Sequence, residues 1–222
     1  MKKLLATLLL TTLAAACSSA APAPTPSALI EQAAGKTAAL KSVAFDIVRV
    51  GDPVVLDASR GILFSAGTGE YQAPDKVHAK VKIVAAGTVL AIDMLWLPTG
   101  FYASNPLSGA FEKQAAAPDF DPGALLRAEV PSLLRSDLRG VKLVGTEKVG
   151  NADAYHLRGE ADGAKLRALT GGVIVPGVHT VDLWMDQATS QIARLVDTEP
   201  GSPSGWRLEL SGHDKPVEIK AP

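Results

Sequence analysis

Between residues 76 and 84 the chain reads KVHAKVKIV. Val77, Ala79, Val81 and Ile83 alternate there with Lys76, His78, Lys80 and Lys82. A period of two places the apolar row on one side of a β-strand and the charged row on the other. A sheet wetted on one face only is antiparallel, because parallel sheets are covered on both faces. No other stretch of the 222 residues limits the fold so strongly.

The neighbouring segments extend that sheet. SVAFDIVRV (42–50) puts Val43, Phe45 and Ile47 on one side and Asp46 on the other. GILFSAG (61–67), TVLAIDMLWL (88–97) and FYAS (101–104) follow, the last after the turn Pro98-Thr99-Gly100. In TVLAIDMLWL the row Leu90, Ile92, Met94 and Trp96 is expected to face inward, and the row containing Asp93 outward. GVKLVGTEKV and DAYHLRGEA are joined by the turn Gly150-Asn151, and VHTVDLWMD and QIARLVDTE by Gln187-Ala188-Thr189-Ser190. WRLELSGH and KPVEIKAP close the chain.

Helical patterns are few. ALIEQAAGKTAAL (28–40) carries Leu29, Ala33, Thr37 and Leu40 roughly on one face, with Ser27 as the expected N-cap. DPGALLRAEVPSLLR carries Leu125, Leu126, Leu133 and Leu134, opened at Pro122 and interrupted at Pro131. GAKLRALTG (163–171) adds a short third helix. Three helices cannot cover both faces of about ten strands. The expected fold is therefore α+β: a large curved antiparallel sheet with helices over its concave face. Strongly twisted sheets of this size curl, and helices laid across them need not fill the hollow.

The N-terminus has a separate logic. Lys2 and Lys3 precede an apolar run from Leu4 to Leu13, then Ala14-Ala15-Ala16 and the chain's one cysteine, Cys17. This is secretory signal architecture, too short for a comfortable membrane span. Small residues followed by Cys resemble a bacterial lipobox, in which the cysteine sulfur is acylated and the chain is cleaved before it. Residues 1–16 are thus expected to be a signal peptide. Residues 17–27 would be the lipidated Cys17 and a Pro/Ser/Ala tether, and 28–222 a single domain. Cys17 would fix the protein to the extracytoplasmic face of the cell membrane. Removing the signal takes away Lys2 and Lys3, which leaves 20 basic residues against 23 acidic ones. That balance speaks against a nucleic-acid partner.

A search for catalytic chemistry finds little. GSPSG (201–205) puts Pro203 where a nucleophile elbow needs serine. His78, His156, His179 and His213 are dispersed, without metal-ligand spacing, and are expected to be surface or partly buried residues. Asp119 and Asp121 in PDFDPG fit a helix-opening turn. No phosphate loop is present, since Gly171-Gly172 lacks the following Lys-Ser/Thr. No enzyme activity, cofactor or metal is expected. Trp184 is expected in the core, and the row of Trp96 toward an interior cavity.

Several segments taken in order are more specific than any one of them. PDKVHAKVKI, LPTGFYASNPLSGAFEK, DPGALL, VGTEKVGNADAYHLRG, VDLWMDQATSQIARL and LSGHDKPVEIKAP together resemble the mycobacterial LppX/LprG/LprA/LprF-type lipoproteins. The resemblance runs from the cysteine signal to Pro222, with Val50 to Gly69 the loosest part. It implies a half-barrel sheet with helices on its concave face, similar to the carriers LolA and LolB, with an apolar cavity between sheet and helices. It also implies acylated lipid or lipoglycan as ligand, transport toward the cell envelope, and a membrane lipid exporter as a possible partner. With the inward rows, it makes Phe45, Ile47, Val77, Val81, Ile83, Ile92, Met94 and Trp96 the expected cavity wall. Leu125, Leu126, Leu133 and Leu134 would be its helical lid. Two other readings of the residues stay open: a solid-core structural or adhesion lipoprotein, and an accessory subunit that docks a membrane transporter.

Overall fold

Ala86-Gly87 is a two-residue turn with positive φ at both positions (48° and 76°), the geometry that matches the twist of a tight hairpin. It stands in a computed structural model of the protein, which describes residues 24–118, 121–170 and 172–222. Residues 1–16, Cys17 and the start of the tether lie outside the described residues.

The strands are β1 (Ser42–Val50), β2 (Val54–Asp57), β3 (Ile62–Gln72), β4 (Lys76–Ala85), β5 (Thr88–Leu97), β6 (Gly100–Ser104) and β7 (Phe111–Lys113) in the first half. The second half supplies β8 (Arg139–Val149), β9 (Ala152–Asp162), β10 (Val178–Asp186), β11 (Ile192–Thr198) and β12 (Gly205–Ser211). They form one antiparallel sheet in the order β7-β6-β5-β4-β3-β1-β12-β11-β10-β9-β8, with β2 paired to β3. Two meanders thus meet where β1 pairs with β12. β2 and β7 are additions to the expected strands, too short to show a period. KPVEIKAP forms no strand; its Ile219 is buried and its backbone N–H donates to Gln72 Oε1.

Helix α1 (Pro26–Ala38) begins two residues earlier than expected. Thr25, not Ser27, is the N-cap: its Oγ1 accepts from the Ala28 N–H, and Pro26 occupies the first helical position, where no donor is needed. Thr25→Ala is expected to lower the unfolding free energy by about 1 kcal/mol in urea denaturation.

Residues 122–137 are helical throughout, so Pro131 interrupts nothing. Short α turns, α2 (Pro122–Ala124) and α3 (Val130–Ser132), alternate with π turns at Leu125–Glu129 and Leu133–Asp137. Pro131 has no N–H to donate to the preceding turn, and the wider π turns on either side accommodate it. Asp121 opens the segment, its Oδ1 accepting from Gly123 and Ala124. Helix α4 (Gly163–Leu169) follows β9.

Both longer helical segments lie on the same face of the sheet. Leu29, Ile30, Ala33 and Ala34 of α1 pack with Leu126 and Leu134 onto Val43, Tyr71, Val77, Leu157, Leu183 and Met185. The opposite face carries the lysine row. His78 Nε2 lies 3.1 Å from Asp93 Oδ1, and Lys80 Nζ 3.7 Å from the same oxygen.

Candidate functional site

Strand register decides which side chains share a face. Val43, Tyr71, Val77, Trp96 and Phe101 are aligned across β1, β3, β4, β5 and β6. Phe45, Gly69, Ala79, Met94 and Ala103 form the next row. Ile47, Gly67, Val81 and Ile92 form a third. A bulge at Phe64/Ala66 then brings Phe64, Ile83 and Leu90 into line. All eight sheet residues expected to face inward therefore stand on the helix-covered side.

The rows differ in how fully they are covered. The first is closed under the helices, with Val43, Tyr71, Val77 and Phe101 buried and Trp96 partly so. Phe45, Ile47, Val81, Ile92 and Met94 in the second and third rows are only half-buried. Ile83 is buried. Between them stand Gly67, Gly69 and Ala79, with Ile47 Cγ2 and the Phe64 ring over Gly67 and the Phe45 ring over Gly69. Gly69 has a reason to lack a side chain: a Cβ there would stand 2.2 Å from the His78 carbonyl oxygen and 2.6 Å from the Phe45 ring.

The four lid leucines divide. Leu126 and Leu134 join the main cluster with α1, whereas Leu133 joins a second cluster with Ala161, Leu166, Ile174, Val181 and Trp206. Leu125 is half-buried and belongs to neither, as do Ile92 and Met94. Phe45, Val81 and Trp96 flank the first cluster and Ile47 the second.

A charged group enters the same face at one rim, and the sequence reading missed it. Arg49 shares the inward parity of Val43, Phe45 and Ile47 and stands opposite Trp206. Its guanidinium lies 5.4 Å from the Trp206 ring. Its Nη1 and Nη2 donate to Glu199 at 2.5 and 3.1 Å, with both side chains over nine-tenths buried. One strand further, His179 is 0 % exposed. Its two ring nitrogens lie 2.8 Å from Asp197 Oδ1 and 2.9 Å from the Val175 carbonyl. Burial pushes the Asp197 carboxyl above its ordinary range, partly opposed by the charge of His179. Asp197 Oδ2 and the indole N–H groups of Trp96 and Trp206 are buried without a hydrogen-bond partner among the described residues.

Two histidines are more deeply buried than the surface or partly buried placement expected of them. His179 is fully enclosed, and His156 is buried on the outer face, stacked 4.3 Å from the Trp184 ring. His156 lies between Glu147 Oε1 at 2.9 Å and Asp182 Oδ1 at 2.5 Å, and Trp184 Nε1 donates to Glu147 Oε2. Trp184 is buried as expected, but in a polar sandwich with Arg194 on its other side rather than in the apolar core. Among the described residues no three His, Cys, Asp or Glu side chains come together as a metal-ligand set, and no helix is long and apolar enough to cross a membrane.

No curated protein matches the chain by sequence. Among solved structures it is similar to LprF from Mycobacterium bovis, with TM-score 0.70 and 15% identity over 89% of this chain and 96% of that one. It is also similar to the lipoprotein LppX from Mycobacterium tuberculosis, with TM-score 0.64 and 17% identity over 88% and 98% of the two chains. At such identities the likeness establishes a shared fold. The model of the LppX_LprAFG lipoprotein family matches residues 25–219, from the cap of the first helix to the buried Ile219. The chain belongs to the LppX_LprAFG lipoprotein family.

Proposed function

We propose that this protein binds an acylated lipid or lipoglycan in an apolar cavity between sheet and helices and aids its transport to the cell envelope. The carrying observation is the run of half-buried apolar side chains, Phe45, Ile47, Val81, Ile92 and Met94, on the helix-covered face of the sheet. A monomer has little reason to leave such a row half-covered on the face where its helices pack. An acyl chain laid along it would remove apolar surface from water at about 25 cal/mol per Å². The same energy opposes release, so delivery would depend on a membrane or a partner such as a lipid exporter.

In this reading residues 1–16 are removed, the acylated Cys17 holds the protein on the extracytoplasmic face of the membrane, and residues 28–222 act as one lipid-binding domain. Leu125, Leu126, Leu133 and Leu134 form the lid. No residue of the site is assigned a catalytic role.

Two measurements test it. An environment-sensitive fluorescent fatty acid should brighten on the purified protein and be displaced by a diacylglycerol; an unchanged spectrum contradicts lipid binding. Cys17→Ala should move the protein out of the detergent-soluble membrane fraction of the acylated form, and unaltered acyl labelling would contradict the anchor.

A further inference from the structure

The charged rim borders a pocket of about 510 Å³. Its walls are Arg49, Glu199, β2 with the preceding Pro53, Arg167 of α4, and the segment from Gly172 to Val175. Beneath it lies the second apolar cluster, in which Val54 and Val173 pack with Trp206, Phe64 and Ile47. The pocket therefore stands over the inward face at the end of the row that contains Ile47, Val81 and Ile92.

Its chemistry is two-part. Arg49 has five N–H donors, of which Nε is placed on the Asp52 carbonyl and one each of Nη1 and Nη2 on Glu199, leaving two. Arg167 places Nη1 on the Ile174 carbonyl and its side chain is otherwise at the surface. The one carboxylate lining the pocket, Glu199, is already paired with Arg49. The balance of the lining is cationic, with guanidinium groups suited to a phosphate or carboxylate. The rim is apolar and open: Val55 is 55 % and Leu56 45 % exposed, and Val50, Val175 and Val178 are exposed at the same strand ends. Aliphatic side chains grouped around a cationic pocket fit a ligand that is acidic at one end and apolar at the other.

We infer that this pocket is the portal of the lipid site: Arg49 and Arg167 hold the acidic headgroup of a membrane lipid while the aliphatic rim of β2 and Val175 rests against the bilayer surface. The inference rests on the lipid-binding reading above and adds a headgroup class and a place of entry. The geometry of Arg49 is fixed by surrounding structure. The β1–β2 turn is held by Ser204, whose Oγ accepts from the Asp52 N–H, and a Cβ on Gly51 would stand 2.4 Å from that oxygen.

The test uses water-soluble short-chain lipids on the full chain, followed by intrinsic tryptophan fluorescence, since Trp206 lies under Arg49. Dihexanoyl phosphatidylglycerol should bind about ten-fold more tightly than dihexanoyl phosphatidylcholine, because both carry the phosphodiester but the choline cation of the second is repelled by the two guanidinium groups. Arg167→Glu, at an exposed position of α4, should remove that preference in a protein whose circular dichroism spectrum stays that of the folded sheet. Arg49→Lys, which keeps the charge opposite Glu199, should weaken it. Equal binding of the two phospholipids, with the neutral lipid dihexanoylglycerol still bound, overturns the portal but leaves lipid binding standing. Failure of all three lipids overturns the lipid reading itself. Inorganic phosphate that competes as strongly as phosphatidylglycerol would mean a free-anion site and overturn the portal.

Discussion

Replacing His179 by alanine should cost about 3–5 kcal/mol of unfolding free energy at neutral pH, the range expected when one partner of a buried charged pair is removed. His179 bridges Asp197 and the Val175 carbonyl in a site closed to solvent. Without the imidazole, Asp197 keeps neither its Oδ1 partner nor the charge that favours its ionised form, and Oδ2 already lacks one. The sign of the pH dependence follows from the raised Asp197 pKa. A carboxyl whose folded value lies above its unfolded one contributes stability that is full below the ordinary range and lost as pH rises through the folded value. In His179→Ala that value moves further up, so the deficit should be larger at pH 7 than at pH 4. Urea unfolding at both pH values measures it. A double variant, His179→Leu with Asp197→Val, should recover most of the loss, because two apolar groups need no partners. A His179→Ala deficit that is the same at both pH values would contradict the buried pair.

Val81→Trp should abolish lipid loading while the protein remains folded. Val81 is half-buried, opposite Gly67 on one side and Ile92 on the other, so an indole there would cover the half-buried apolar row against which the ligand would lie. Because the position is only half-buried, the cost in stability should stay within about 2 kcal/mol. Ile92→Trp, its cross-strand neighbour, should act alike. Lys80→Trp, one residue away on the opposite face, should load normally, since one step along a strand reverses the side chain's direction. Fatty-acid fluorescence and a circular dichroism melt together separate loading from folding. Normal loading by Val81→Trp would mean that this row is not where the ligand lies.

The face of each sheet residue was legible because period two survives wherever one side of a strand is buried. KVHAKVKIV and TVLAIDMLWL place their rows as their alternation indicates, down to Asp93 on the outer face beside His78 and Lys80. The same alternation contained Arg49 in SVAFDIVRV, on the parity of Phe45 and Ile47, and Asp197 on the parity of Leu195. These were hidden because a charged residue at a strand end reads as the start of a solvated loop. Only the approach of Glu199 and His179, 150 and 18 residues away along the chain, makes burial of such groups tolerable. β2 and β7, of four and three residues, are too short to carry a period. The helical run through Pro131 was unreadable for another reason. Proline is expected to end an α-helix, and nothing in the residues announces the π turns that absorb it.

Mass spectrometry of the full chain purified from bacterial envelopes, native and then denatured, tests lipid binding most directly. The account predicts a stoichiometric diacyl or triacyl lipid that leaves on denaturation, in addition to the acyl groups that stay covalently attached at Cys17. A protein that carries no releasable lipid, and takes up none from phospholipid vesicles, would contradict it.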